Sequence, residues 1–240
     1  MNVIELRDKT SKLKISKQKF INETFLWVNL ARESVKGLSD EKLEFYVPKA
    51  KSPNELKPIT RNKPSEVKER ILSKDIYNSA FVSLVASVED YLYKISEWIL
   101  LYDNNRIKCT IKDVNSENSI SVIDLIDNEK EDLISKIITQ KLAGLFYASP
   151  KKQIEYYEKA LDIVIDSTIW QQWIEIKARR DLLVHNNGLI NDIYLTKTEN
   201  TDLSLKGTEI IISDDYFTET IGFLKRMTGQ IDKRIRNCYK

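Results

Sequence analysis

One histidine, two cysteines, five prolines and six glycines are spread over 240 residues, and each scarcity narrows what this chain can be. Cys109 and Cys238 lie far apart in sequence, and with a single histidine a Cys/His zinc site is close to excluded. We therefore expect no metal, and we read both cysteines as free thiols of a reducing compartment. Few glycines and prolines argue for long helices and few tight turns. A glycine-rich phosphate loop and a dinucleotide fingerprint are both missing, so no nucleotide cofactor is expected. No apolar run approaches the roughly 20 residues that span a bilayer. The start, Met-Asn-Val-Ile-Glu-Leu-Arg-Asp, lacks the apolar core of a signal peptide. These features predict a cytoplasmic protein without a membrane partner. The net charge of +2 predicts no strong global attraction to nucleic acid, so RNA contact would have to come from local patches. The run Lys233 to Lys240 is one such patch, although a charged, solvated helix end also explains it.

What is there is mostly helical periodicity. Residues from about Ser11 to Val35 read as a helix whose apolar side carries Leu13, Phe20, Phe25, Trp27, Val28 and Leu30. From about Phe45 to Pro64 come four of the five prolines with lysines between them, which reads as a loop or an extended surface arm. Pro64-Ser65 opens a long helix reaching about Tyr102, with Tyr77, Phe81, Leu84, Val88, Tyr91, Ile95 and Trp98 as its core stripe. Ser79, Ala80, Ser83, Ala86 and Ser87 line this stripe with small residues. Glu89-Asp90 reads as a solvated face or as a polar group near an active site. Ile107 to Ile111 alternates like a short extended piece, and Ser119 to Ile126 is at most a short helix. Helices are then expected over 129–146, from Ser149-Pro150 to about Ile165, from Asp166-Ser-Thr168 to His185, and from Ser213 to about Asn237. Thr208 to Ser213 reads as brief and extended. The expected fold class is all-α: a helical bundle with irregular connections, in which residues 1–64 form an N-terminal helix and a proline-containing arm and residues 65–240 form the main domain.

The stretch from Lys177 to Gly188, KARRDLLVHNNG, holds the only histidine. On an ideal helix of about 100° per residue, Ile169, Trp173, Ile176 and Leu183 share one line, which Trp170, Ile174 and Val184 widen. Arg180 projects into the middle of that face. An arginine there is costly unless it is paired or the face is wet and functional. His185 falls on the edge of the face, one turn after Asp181. Asn186-Asn187-Gly188 should stop the helix just after His185. Arg180 and His185 lie roughly 140° apart on a straight helix, so a single intact helix does not aim both at one point. A frayed last turn or a second copy across a two-fold axis would.

Arg180-Asp181-x-x-x-His185 resembles the R-x(4–6)-H motif of HEPN domains, in which the residue after the arginine is commonly polar. Ala178 to Gly188 is similar to the prokaryotic HEPN branch linked to toxin–antitoxin, phage-defence and RNA-repair systems (the RiboL-PSP-HEPN-like type). The stretch around Ala86-Ser-Val-Glu-Asp-Tyr-Leu92 resembles the long core helix of the same domains. The resemblance covers about residues 65 to 238. It implies a homodimeric, metal-independent endoribonuclease without cofactors, acting on RNA and paired with an antitoxin or partner defence protein. His185 would take a proton from a ribose 2′-hydroxyl, since imidazoles titrate near pH 6.5 (about). Arg180 would hold the phosphate oxygens as charge builds up. The products would be 2′,3′-cyclic phosphate and 5′-hydroxyl ends. Asp181, Asn186 and Arg179 are expected to support these two, and Lys177 and Arg179 to contact RNA. Two other readings stay open: a non-catalytic HEPN module that binds RNA or protein, and an unrelated helical interaction protein in which Arg180 is locked in an internal salt bridge.

Overall fold

A computed structural model describes residues 1–39, 46–58, 63–112, 114, 121, 126 and 129–239. The chain folds as a mostly helical bundle with one small two-stranded sheet. Among the described residues no helix is long and apolar enough to cross a membrane.

Helix α1 spans Val3–Lys36 and begins a full two turns before the apolar periodicity that announces it. The reason is local: Asn2 caps the helix by accepting the Glu5 N–H at 2.9 Å, and a carboxylate in the first turn favours the positive end of the dipole. Its inward line is Leu6, Thr10, Ile21, Thr24 and Val28. Trp27 and Leu30, expected on the apolar side, are 50% and 70% exposed, because the helix turns a narrower face to its neighbours than its apolar residues would allow.

The proline-rich arm is an exposed antiparallel hairpin, β1 (Tyr46–Lys49) paired with β2 (Ser52–Pro58). An isolated two-stranded sheet tolerates prolines because each strand has a free edge on which the missing N–H is not needed. Next come α2 (Pro64–Arg70), a single π turn over Ile71–Asp75, and α3 (Ile76–Tyr102), run together without a break. The expected stripe of α3 is buried from Tyr77 to Ile95. It is the central rod of the bundle, with α1 packed along it.

Residues 104–108 form a 3₁₀ turn rather than the extended piece that their alternation suggests. Arg106 decides this locally and at long range. Its Nε meets Asp103, its Nη1 donates to the Ala160 carbonyl at 2.7 Å, and its Nη2 pairs with Asp162 at 2.8 Å. The same contacts shorten a later helix. The expected short helix over 119–126 lies, apart from Ser121 and Ile126, outside the described residues. Helix α4 follows at Lys130–Tyr147 and α5 at Pro150–Lys159. Helix α5 stops about two turns early because its freed carbonyls find partners elsewhere: Ala160 with Arg106, Leu161 with the Tyr239 hydroxyl, Asp162 with Arg234. Val164, expected inward, is 51% exposed.

Helix α6 runs Ser167–His185, capped by Asp166, which accepts the Thr168 N–H at 2.8 Å. A short helix α7 (Asp192–Thr198), a loop with an isolated bridge between Leu189 and Glu209, and α8 (Asp214–Cys238) complete the chain. Phe217, Ile221, Leu224, Met227, Ile231 and Ile235 of α8 are buried as their spacing predicts. One large core joins α1, α3, α4, α5, α8 and the first half of α6. A smaller cluster, Ala178, Leu182, Ile190, Tyr194, Leu195 and Ile210, packs α7 beneath the second half of α6. Residues of α1 thus belong to the same core as residues beyond 65.

Phe217 is fully buried, so Phe217→Ala is expected to cost about 3–5 kcal/mol. Leu30→Ala, at a position 70% exposed, should change stability by no more than about 0.5 kcal/mol. Urea denaturation of both variants checks this, and comparable losses at the two positions would show that the wrong face of α1 has been taken as its outer side.

Candidate functional site

The second half of α6 positions every residue of the motif. Ile169, Trp173 and Ile176 anchor the first half in the main core, and Ala178 and Leu182 anchor the second half on α7. The helix holds its form to the end. Asn186 N–H and Gly188 N–H both reach the Leu182 carbonyl at 2.9 Å. Asn187 and Gly188 take positive φ of 51° and 76°, the left-handed exit that glycine allows and asparagine tolerates. The Asn186 side-chain amide donates to the Leu189 carbonyl, which ties down the turn. The last turn is therefore not frayed, and Arg180 and His185 leave the helix on different sides.

Arg180 points at α3. One of its terminal nitrogens pairs with Glu89 and the other with Asp181, the latter at 3.1 Å, while its Nε–H is buried without a partner. Lys177, expected at an RNA-facing position, is buried, with its ammonium 3.0 Å from the other oxygen of Glu89. Glu89 is thus no part of a solvated face: its side chain is 18% exposed and answers two cations at once. Its neighbour Asp90 is more open and binds Lys17 at 2.7 Å and Lys94 at 3.1 Å. Asp181 carries the chain of charges outward, to Lys197 of α7 at 3.0 Å. In this network three cations, Lys177, Arg180 and Lys197, face two carboxylates, Glu89 and Asp181, which leaves one positive charge over.

His185 is exposed and stands at the mouth of an open cleft of about 430 Å³. Asp181, Asn186 and Lys197 are the other polar groups along the walls, with Ala178, Leu182 and Tyr194 toward the cluster beneath. Arg180 is not in the lining of this cleft; it adjoins it through Asp181. Around His185 three apolar side chains stay in solvent: Val184 at 49%, Leu189 at 43% and Ile193 at 64% exposure.

Arg179 faces another way. Its guanidinium lies over the Tyr216 ring, 4.1 Å from the centroid, and bonds Glu175 and the Ile211 carbonyl. Glu175 also accepts the Tyr216 hydroxyl at 2.6 Å and the Tyr194 hydroxyl at 3.2 Å. Burial first, and then the Glu175 charge, pushes the Tyr194 hydroxyl up to about 12 and raises Tyr216 in the same way, so both stay protonated donors at neutral pH. This knot fastens α6 to α7 and α8. Among the described residues, no three His, Cys, Asp or Glu side chains are grouped as a metal site.

Two partners of the motif escaped the sequence reading, Glu89 and Lys197. Glu89 carried a faint signal: it is a carboxylate within a long core helix, and an arginine on an apolar face needs a counter-charge somewhere. Lys197 carried none, because the short helix that bears it has no periodicity of its own.

Removing Glu89 strands Lys177 and Arg180 without their shared anion. Glu89→Ala is expected to cost about 3–5 kcal/mol. Adding Lys177→Met to Glu89→Leu should recover part of that loss, because an apolar pair of similar volume replaces a buried ionic one. Denaturant midpoints of the variants decide it; a Glu89→Ala protein within about 1 kcal/mol of wild type would mean that the carboxylate is effectively solvated.

Comparison with protein-family models, with curated proteins and with solved structures gives no match, so the site's own geometry is what bears on its chemistry.

Proposed function

We propose that this chain is a ribonuclease of HEPN type that cuts RNA through attack of a ribose 2′-hydroxyl on the adjacent phosphorus, leaving a 2′,3′-cyclic phosphate. The observation that carries this reading is the exposed imidazole of His185 on a cleft walled by Asp181, Asn186 and Lys197, beside a guanidinium pinned by Glu89. His185 acts as the general base, since it alone in the cleft is an exposed imidazole. Arg180 and Lys197 supply positive charge that is already oriented before substrate arrives, which is where electrostatic catalysis gains most. Asp181 ties these two cations together. Asn186, with its amide anchored on Leu189, keeps the turn under His185 rigid.

The active form in this reading is a homodimer. The intact last turn keeps Arg180 and His185 on different sides of α6, so a phosphate gripped by both needs a second copy. The exposed Val184, Leu189 and Ile193 around His185 form an apolar rim that such a copy would cover. A cytoplasmic toxin or phage-defence effector with an antitoxin or partner protein fits this chemistry.

A second reading has its own observation. Arg180 already has two carboxylate partners within the chain. Its role would then be to join α6 to α3, in a helical module that binds RNA or a partner without cutting.

One experiment separates the two. Purified protein is incubated with structured and single-stranded RNA in EDTA, and the ends are analysed for cyclic phosphate. The nuclease reading expects cleavage that falls about 100-fold or more in His185→Ala and in Arg180→Lys. Both variants should keep the wild-type unfolding midpoint within a few degrees, since His185 is exposed and lysine retains the charge facing Glu89. RNA left intact by the wild type, or cut equally well by both variants, sinks the nuclease.

A further inference from the structure

A second cavity, of about 420 Å³, lies behind the motif, between α5, α6 and α7. Its size is within the range of small-ligand sites. Trp170, Ile154 and Ile174 give it an apolar wall, and Lys197 lines both this cavity and the His185 cleft.

The charges around it balance with one exception. Lys151 pairs with Glu199, Lys197 with Asp181, and Glu175 with Arg179 and two tyrosines. Glu158 is half-buried and, among the described residues, has no recorded hydrogen bond or ion pair. In the same wall Trp170 is 2% exposed, stacked on Tyr157 with centroids 5.4 Å apart, and its indole N–H has no partner. Buried donors in folded proteins are nearly always satisfied, so an orphaned one beside a cavity asks for an acceptor from outside the chain.

We propose that this cavity is a nucleobase subsite, and that the base it takes is guanine. The ligand must be planar and apolar in body, give donors to a carboxylate, and offer an acceptor to an indole N–H. Guanine presents two N–H donors side by side, on N1 and N2, with the O6 acceptor next to them; the carboxylate of Glu158 takes the donors and the Trp170 N–H takes O6. Lys197, common to both cavities, puts the base one side chain away from the cleft assigned to the phosphate. The subsite rests on the RNA reading for its purpose and would make cleavage base-selective, but its occupancy is measurable without cleavage.

The test follows the indole N–H signals of the four tryptophans in a ¹⁵N-labelled full-length protein, with that of Trp170 assigned by Trp170→Phe. Guanosine, adenosine, cytidine and uridine monophosphates are titrated in turn. The expected result is a saturable shift of the Trp170 signal by the guanosine nucleotide, about tenfold or more tighter than the others, and a loss of that preference in Glu158→Gln. Glu158 lies on the outer side of α5, so this variant should fold. A Trp170 signal that does not move with millimolar nucleotide, that responds alike to all four, or that keeps its preference in Glu158→Gln overturns the subsite. Cleavage in EDTA without this binding would sink the subsite alone. Binding without cleavage would sink the nuclease and leave the subsite standing.

Discussion

The carboxylate of Glu89 is the anion against which the polar side of α6 is set. Two cations reach it from positions three apart on that helix, Lys177 and Arg180. At 3.0 Å the Lys177 pair has a gross attraction of about 5 kcal/mol for an effective dielectric of about 20. Withdrawing each ion from water costs several kcal/mol, so the pair is close to balanced as a source of stability. Its physical consequence is orientation. With both oxygens of Glu89 engaged, α6 cannot rotate or slide against α3 without leaving a charge stranded. Everything beyond Arg180, including the turn that presents His185, inherits that constraint.

The same economy explains what the sequence made legible. Helices whose stripe is buried by one neighbour, α3 and α8, were readable residue by residue, because a single packing surface imposes a single period. Helix α6 was readable in its ends, from the Asp166 cap to the Asn186-Asn187-Gly188 exit, since both are local hydrogen-bond problems. What could not be read was set at a distance. Arg106 decides where α5 stops although some fifty residues separate them, and nothing near Lys159 announces it. The outward turn of Trp27 and Leu30 depends on where α3 and α8 lie, not on the pattern of α1. The pairing of β1 with β2 was hidden because prolines argue against strands in general, although a lone hairpin has edges that tolerate them.

For the motif, sequence identified the anomaly and structure supplies its partners. An arginine on an apolar face demanded a counter-charge or a wet surface. It has the first in Glu89 and adjoins the second through Asp181, which faces both Arg180 and the open cleft. Lys177 and Arg179 share the basic run with Arg180, yet each is committed elsewhere, one to Glu89 and one to the Tyr216–Glu175 knot. A run of positive residues on a helix therefore does not make a positive surface. The charge left over after pairing is what a phosphate would meet, and here it sits toward Lys197 and the cleft.

That distribution bears on why a second copy matters to the chemistry. Within one chain the imidazole is in solvent and the guanidinium is turned inward, so the two act on one phosphate only if some element moves or another protomer contributes. Movement is disfavoured at the helix end, where two backbone hydrogen bonds converge on the Leu182 carbonyl, and at Arg180, which is held between two carboxylates. Association meets no such resistance. The side chains around His185 that remain unburied, Val184, Leu189 and Ile193, are apolar, and covering them is favourable at about 25 cal/mol per Å² of area removed from water. A rigid helix end inside an apolar rim is suited to dock against its own image, and a two-fold axis there would set each imidazole near the partner's cationic network without disturbing the anion that orients it.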